Sequence, residues 1–251
     1  MPEPGGIDRA ALTVNHWFWQ AVDWVYPPVC ISCGKSGERW CSSCQALVER
    51  VGVKYCSKCG KRNFKGILCQ ECKNHNPVYT ALRSYGLYKD PMRQAILRVK
   101  YHRDLGLGEI LADLLRQLLE EQGWQLDLVI PVPLSPAKLR ERGYNQVELF
   151  ARPLAWTLGL PYHDQILQRT REDTSQVNLS AEDRRKNVMK AFEVSDPHCL
   201  CGKRVLLVDD VATTGSTAEV CAGVMLKGGA NSIYVATLAR SLLRKPDQEV
   251  I

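Results

Sequence analysis

The strongest constraint on the fold is an apolar run, Val205 to Val208, that leads directly into two adjacent carboxylates in the stretch VLLVDDVATTGST, residues 205–217. The run shows no polar alternation, which is typical of a strand buried on both faces. Such strands occur in α/β domains, where helices cover both faces of a parallel sheet. Open α/β sheets bind ligands at the carboxyl ends of their strands. We therefore expect Asp209 and Asp210 to lie at the ligand-binding edge of a parallel sheet.

The six residues that follow Val211, with the sequence ATTGST, carry four hydroxyl groups around one glycine. A helix is predicted to begin near Ser216, with Ser216 and Glu219 forming a capping box. Backbone N–H groups at a helix N-terminus bind anions, phosphate above all, and Gly215 would allow close approach of the ligand. Two carboxylates beside such a loop suit a metal ion or the hydroxyls of a sugar. A phosphorylated sugar with Mg²⁺ satisfies both features, and a capped connection without a ligand is the alternative.

Other nucleotide-binding signatures are missing from the sequence. It contains neither a Walker GxxxxGK[ST] motif nor a Rossmann GxGxxG motif. The opening VLLVDD also resembles a receiver domain, but too few residues follow Asp210 to complete one. These absences favour a sugar-phosphate site over a mononucleotide or dinucleotide fold.

Strand and helix patterns alternate from Pro77 onward, which predicts an α/β domain. Residues 78–88 predict a hairpin or an edge strand, and the segment 146–160 predicts a helix that Pro153 should kink or divide. The remaining predicted helices cover 91–101, 107–123 and 216–229, and the remaining strands cover 127–133, 188–194, 203–210 and 232–240.

Eight of the 11 cysteines form four CxxC pairs before residue 75. Two such pairs complete a tetrahedral site with four thiolate ligands, so we predict two structural zinc ions. Redox chemistry or an iron–sulfur cluster would be the alternatives. The short gap between Cys33 and Cys41 favours sequential pairing over a cross-brace, and metal binding would supply the folding energy of this segment. The sequential sites are Cys30, Cys33, Cys41 and Cys44, and Cys56, Cys59, Cys69 and Cys72.

The three other cysteines are predicted to bind no metal. Cys221 lies on an apolar helix face and is predicted to be a core residue, whereas Cys199 and Cys201 are expected in a loop. Upstream of the zinc sites, the aromatic stretch WFWQAVDWVYPP (residues 17–28) is predicted to form an intramolecular packing helix, with a membrane-surface anchor as the alternative. The domain boundaries are predicted at 1–75 and 76–251.

Charge is concentrated in the cysteine-rich segment, where residues 30–75 hold nine Lys or Arg against three Glu. Eight thiolates and two Zn²⁺ ions would reduce this excess from +6 to about +2. Nucleic-acid contact by the segment therefore stays open beside a protein-docking or structural role. No apolar run approaches a membrane span and no secretory signal is recognised, so the cytoplasm is the expected compartment.

The stretch VLLVDDVATTGST resembles the phosphoribosyl-pyrophosphate signature of type I phosphoribosyltransferases. The segments PVPLSPAKLRERGYNQVELFA, RTREDTSQ and RRKNVMKAF, together with the cysteine pairs, are similar to the ComF family. The resemblance implies a type I phosphoribosyltransferase-like parallel sheet flanked by helices, with a small N-terminal double zinc ribbon. ComF-family proteins are associated with natural competence, the uptake of single-stranded DNA.

The resemblance also implies roles for individual residues. Asp209 and Asp210 would hold the ribose hydroxyls directly or through Mg²⁺, and a loop carrying Arg140, Arg142 and Lys138 would meet the pyrophosphate. A mobile hood from Thr170 to Asn187 would close over the ligand and bring Arg184, Arg185 and Lys186 near it, although that trio also fits a solvated helix face. Lys100 and Tyr101 also resemble the family's sequence pattern, and no role is assigned to them. The residues that would bind the 5-phosphate are Ala212, Thr213, Thr214, Gly215, Ser216 and Thr217.

Three functions remain open on these residues. The first is a competence protein that binds phosphoribosyl pyrophosphate with Mg²⁺ and displaces pyrophosphate at the anomeric carbon through an oxocarbenium-like state. The second is a non-catalytic adaptor that binds single-stranded DNA and docks a competence DNA translocase. The third is nucleobase salvage, for which the sequence offers no recognisable base pocket.

Overall fold

The computed structural model describes residues 27–52, 54–63, 67–170 and 191–241. The predicted aromatic helix, apart from Pro27 and Pro28, and the predicted hood after Thr170, including Arg184, Arg185 and Lys186, lie outside the described residues.

The helices and strands follow one another in the order expected of an α/β domain. The helices are α1 (Ser42–Ala46), α2 (Gln70–Asn74), α3 (Met92–His102), α4 (Leu105–Gln122), α5 (Pro136–Arg142), α6 (Glu148–Leu158) and α7 (Ser216–Lys227). The strands are β1 (Ala81–Leu87), β2 (Leu128–Pro131), β3 (Leu167–Arg169), β4 (Phe192–Val194), β5 (Arg204–Ala212) and β6 (Ser232–Arg240).

Four of the strands form a parallel sheet in the order β1-β6-β5-β2. The apolar run of β5 lies between β6 and β2 and alternates between two cores. Leu206 and Val208 pack with α3, α4 and α6 on one face, and Val205 and Leu207 pack with α7 on the other. The predicted strand with both faces covered is therefore confirmed, together with the parallel α/β fold.

The segment 78–88 forms an edge strand rather than a hairpin, because β1 runs parallel to β6 and pairs with no other of the described strands. The predicted strand at 188–194 is described only from residue 191. Its strand β4 pairs antiparallel with β3 in a separate two-stranded sheet, so it does not extend the main sheet.

Pro153 does not divide its helix, because α6 is continuous from Glu148 to Leu158. A proline at this position removes the N–H group that would donate to the Leu149 carbonyl one turn earlier. That carbonyl lies against Gly108 of α4, where an added Cβ would be 2.3 Å from the oxygen. The absence of a side chain at Gly108 thus permits the close packing of α4 on α6.

The described helices include none with the length and apolar composition that crossing a lipid bilayer requires.

Gly108→Ala is expected to destabilise the protein by about 1–3 kcal/mol, because the new methyl group would overlap the Leu149 carbonyl in a packed core. Gly223→Ala in α7 is the matched control, since its nearest neighbour would lie at an ordinary 3.9 Å. There the better helix propensity of alanine should stabilise by up to about 1 kcal/mol. Equal thermal unfolding midpoints for the two variants would contradict the packing argument.

Candidate site at the carboxyl end of the sheet

The two adjacent carboxylates lie within β5 rather than after it, because β5 continues to pair with β6 as far as Ala212. Neighbouring side chains on a strand point to opposite faces. Asp210 accordingly contacts residues on the α3 and α6 side, whereas Asp209 lines a small pocket with the loop that follows β5. The pair therefore presents one carboxylate to each side of the sheet edge.

Asp210 is buried and held by two side chains. Its Oδ2 atom lies 2.9 Å from Nζ of Lys100 at the end of α3, and it accepts a hydrogen bond of 2.8 Å from Nε2 of Gln146. Gln146 in turn accepts a 2.8 Å bond from Arg142 through its Oε1 atom. The structure thus connects Arg142 to Asp210 through one intervening amide.

Asp209 has a different environment. Its Oδ1 atom accepts a 2.8 Å hydrogen bond from the backbone N–H of Asp210. Desolvation raises the pKa of Asp209 to about 8, with the Asp210 carboxylate as the second cause, against the lowering effect of Lys100 and Arg169. A cation bound beside Asp209 would oppose this rise in its pKa by stabilising the ionised carboxylate.

The loop after β5, which we call the hydroxyl loop, consists of Thr213, Thr214 and Gly215 with the first helical residues Ser216 and Thr217. Within the described parts of the chain, the N–H groups of Thr213, Thr214 and Gly215 have no hydrogen-bond acceptor. Thr214 and Ser216 pair through their hydroxyls at 2.7 Å. The loop therefore presents free backbone donors at the start of a helix of 12 residues.

Two details of the hydroxyl loop differ from prediction. The capping box is not formed, because Gly215 is the N-cap with φ at 91° and Glu219 contacts Nε2 of His75 at 2.7 Å instead. The Ser216 N–H donates to the Thr214 hydroxyl at 3.2 Å, which takes over the capping role. Ala212 belongs to β5 and is buried, so it lies beneath the loop rather than in it.

The segment predicted as a pyrophosphate-binding loop is helix α5. Ser135 caps this helix by accepting the N–H of Lys138, and Pro136 occupies its first turn, which is a standard helix start. Arg140 and Lys138 are exposed, while Arg142 is half-buried with its guanidinium 5.4 Å from the Tyr101 ring centroid. Among the described residues, Lys100 contacts Asp210 directly and Arg142 is linked to it through Gln146.

Sequence reasoning missed Gln146 and Arg240. Gln146 had no distinguishing pattern, because Gly143 ends α5 and leaves Gln146 outside the helix that carries Arg142. Arg240 ends an apolar strand and is 2% exposed. Its two guanidinium NH groups donate to the carbonyls of Cys59 and Thr213, and this bridge depends on a contact between distant segments.

The eight paired cysteines form two clusters in sequential order, and the ligand atoms of each cluster lie within 4.8 Å of one another. The first zinc site comprises Cys30, Cys33, Cys41 and Cys44, and the second comprises Cys56, Cys59, Cys69 and Cys72. Sequential pairing is therefore confirmed over a cross-brace. Two sets of four convergent sulfurs suit tetrahedral Zn²⁺. Of the other cysteines, Cys221 is fully buried in the core, as predicted.

The two zinc sites pack on opposite faces of the main sheet at its β1 edge. The first packs with Trp40 in the core on the α3 and α4 face, and the second packs in the core on the α7 face. Backbone N–H groups of β1 donate to the cysteine-rich segment, from Leu82 to Lys58 at 2.8 Å and from Leu87 to Glu49 at 2.7 Å. This cysteine-rich segment, residues 30–75, which we call the zinc segment, thus satisfies part of the open edge of β1.

A second concavity of about 680 Å³ lies on the outer side of the hydroxyl loop. Its lining is mainly apolar and comes from α2, the connection to β1 and the first turns of α7. Thr214 and Ser216 belong to this lining, whereas the described side chains of Asp209, Asp210 and Arg142 do not. The groove is therefore separate from the carboxylate pair.

Comparison with known proteins agrees with both halves of the structure. The double zinc ribbon domain family matches residues 21–73, and the phosphoribosyl transferase domain family matches residues 101–250. DNA utilization protein YhgH of Salmonella typhimurium is 35% identical over 211 residues, covering 80% of this chain and 90% of that protein. Competence protein F of Haemophilus influenzae is 33% identical over 208 residues with the same coverage. Glutamine phosphoribosylpyrophosphate amidotransferase from B. subtilis aligns with a TM-score of 0.41 and 20% identity over 57% of this chain and 30% of that chain.

The parallel sheet, the acidic strand end and the paired zinc sites together define a phosphoribosyltransferase-type domain joined to a double zinc ribbon. The chain belongs to the ComF family of competence proteins.

Two zinc ions per chain are expected by elemental analysis of the purified protein. A double serine variant within one site, Cys30→Ser with Cys44→Ser, should retain one ion, because the sites share no ligand. The matched variant across sites, Cys44→Ser with Cys72→Ser, should lose both. Loss of both ions from the within-site variant would contradict the sequential pairing.

Proposed function

We propose that this protein binds phosphoribosyl pyrophosphate with Mg²⁺ at the carboxyl end of β5 and acts in the uptake of single-stranded DNA. The observation that carries the proposal is the juxtaposition of the Asp209 carboxyl with the donors of the hydroxyl loop in one pocket. An anion and a hydroxylated sugar need these two kinds of group side by side. The DNA-uptake role is supported by the competence and DNA-utilization proteins that the chain resembles.

The assigned roles follow from the contacts. The N–H groups and hydroxyls of Thr213 to Thr217 would hold the 5-phosphate at the N-terminus of α7. Asp209 and Asp210 would accept hydrogen bonds from the ribose hydroxyls. Asp210 retains a second oxygen for this purpose, since Lys100 and Gln146 both contact Oδ2.

Carboxylate oxygens are ligands that suit Mg²⁺, and Asp209 with the second oxygen of Asp210 would hold the ion together with ligand oxygens. Bound Mg²⁺ would neutralise charge developing on the pyrophosphate leaving group. Arg142 and the exposed Arg140 would add guanidinium donors to the same phosphates. Lys100 contacts Oδ2 of Asp210 and fixes the orientation of this carboxylate, so it would act on the site through that carboxylate.

A transfer reaction would break the bond between the anomeric carbon and pyrophosphate and form a bond to the acceptor. The site groups that the structure describes would stabilise separated charges and include no obvious nucleophile, so positioning and leaving-group stabilisation would supply the rate enhancement. The acceptor is the undefined component. A screen of candidate acceptors coupled to pyrophosphate release would identify it, and a nucleobase that gives turnover would indicate salvage.

Titration calorimetry with Mg²⁺ and phosphoribosyl pyrophosphate should detect binding by the intact protein. Asp209→Ala with Asp210→Ala should weaken it by more than about 100-fold, because each hydrogen bond to a charged group contributes about 1.5–3 kcal/mol. The matched control is Asp113→Ala with Glu120→Ala, two exposed carboxylates of α4 that contact Arg116. Absence of binding by the intact protein would reject the proposed site.

A DNA-handling adaptor is the second candidate, supported by exposed lysines on the zinc segment and by the name of the Salmonella relative. Because the zinc segment packs into both cores, its deletion would expose the sheet, and surface charge reversal is the sharper test. Changing Lys35, Lys54 and Lys73 to Glu should abolish a gel shift with single-stranded DNA if this segment holds the phosphates. If the charge-reversal variant still binds DNA, the DNA contact does not depend on these three lysines. If the Asp209→Ala with Asp210→Ala variant still binds DNA, DNA binding is independent of the sugar-phosphate site.

A further inference from the structure

Arg240 is a buried cation located between the second zinc site and the hydroxyl loop. It is the last residue of β6, and its backbone pairs with Leu87 of β1 on one side and Ala212 of β5 on the other. Ala212 directly precedes the hydroxyl loop. Arg240 therefore lies where the zinc-covered edge of the sheet approaches the candidate phosphate site.

The guanidinium of Arg240 bridges these two parts of the molecule. One NH₂ group donates to the backbone carbonyl of Cys59, which is a ligand of the second zinc site. The other donates to the backbone carbonyl of Thr213 at 3.3 Å. A rigid, planar guanidinium that holds both carbonyls fixes the position of the loop's first residue relative to the zinc site.

The charge of Arg240 requires compensation because the side chain is removed from water. No carboxylate among the described residues lies within ion-pair distance of it, and its Nε atom has no acceptor there. Uncompensated buried charges are strongly unfavourable. Four thiolates around one Zn²⁺ leave two net negative charges, and Cys59 belongs to that group. The loaded second zinc site therefore supplies the opposing charge.

Tyr79 lies beside the hydroxyl loop and belongs to the same buried cluster as Cys59 and Cys72 of the second zinc site. It is 1% exposed, and its hydroxyl lies 3.2 Å from the position that a Cβ on Gly215 would occupy. Together with Cys59 and Cys72 it also borders the groove beside the hydroxyl loop. A change at the second zinc site would thus reach the loop through both Arg240 and Tyr79.

We propose that Arg240 is a positioning residue that couples the second zinc site to the hydroxyl loop, so that zinc and a phosphorylated ligand each strengthen the binding of the other. The inference rests on the proposed function, because it takes the hydroxyl loop as the phosphate site. Binding couplings of this kind are reciprocal. Ligand at the loop should therefore raise the affinity of the second site for zinc, and weakening the link should lower ligand affinity.

The test measures both directions of this coupling in the full-length, zinc-loaded protein. Titration calorimetry gives the affinity for Mg²⁺ with phosphoribosyl pyrophosphate, and competition with a chromogenic chelator at equilibrium gives the extent of zinc release with and without that ligand. Alkylation of the freed thiols, followed by peptide mapping, assigns each release to the first or the second site. Arg240→Lys keeps the positive charge, but a single ammonium nitrogen replaces the two guanidinium NH₂ groups that donate to the two carbonyls.

Arg83→Lys is the matched control. Arg83 is also largely buried and donates to the same zinc segment, at the carbonyl of Ser57 over 3.0 Å. Its other contacts are with the Tyr55 ring, the Leu82 carbonyl and Gln122. It therefore anchors the second zinc site without a bond to the hydroxyl loop. A merely structural contribution of buried arginines would affect both variants alike.

In the wild type, ligand should lower the equilibrium constant for zinc release from the second site about tenfold and leave the first site unchanged. Arg240→Lys should bind ligand about tenfold more weakly and lose the effect of ligand on zinc release, whereas Arg83→Lys should keep both. If bound ligand leaves zinc release from the second site of the wild type unchanged, the inference is overturned, whatever the folding of the variants. Equal ligand affinity of Arg240→Lys and the wild type also overturns it. Absence of ligand binding by the wild type rejects the proposed function itself, and the coupling fails with it.

Discussion

The docking of the zinc segment on strand β1 is the interaction on which the rest of the structure depends. Backbone bonds from Leu82 to Lys58 and from Leu87 to Glu49 cover part of an edge that would otherwise face solvent. The two zinc sites then enter the cores on opposite faces of the sheet. Because so short a segment has little apolar surface of its own, the metal-bound loops and the sheet stabilise one another.

The same arrangement sets the geometry of the candidate site. The carboxyl end of β6 is held between β1, which the zinc segment covers, and β5, which carries the acidic pair. The approach of Gly60 to the Leu82 carbonyl, where an added Cβ would be only 2.4 Å away, shows how closely the second zinc site is seated. The hydroxyl loop therefore lies beside a metal site as well as a helix N-terminus, an arrangement that the strand–loop–helix motif alone does not require.

Much of this architecture could be predicted from residue patterns. Unbroken apolar character in β5 indicated a strand between two covered faces, and four CxxC pairs indicated two metal sites, because both signals depend on residues close in sequence. Predictions that depended on packing were less accurate. Pro153 lies within a continuous α6, Glu219 leaves the predicted capping box to contact His75, and the segment with Arg140 and Arg142 folds as a short helix.

The sequence by itself determined the class of fold, the eight zinc ligands and the position of the acidic pair before a hydroxyl-rich turn, since periodicity and local spacing encode these features. Only the tertiary structure decided that Asp210 meets Lys100 and Gln146, that Asp209 faces the hydroxyl loop, and that Arg240 joins Cys59 to Thr213. Apart from Asp209 and the neighbouring hydroxyl loop, each of those contacts joins segments distant in the chain. Their partners are selected by strand order and by desolvation in the folded protein, and no local pattern records either.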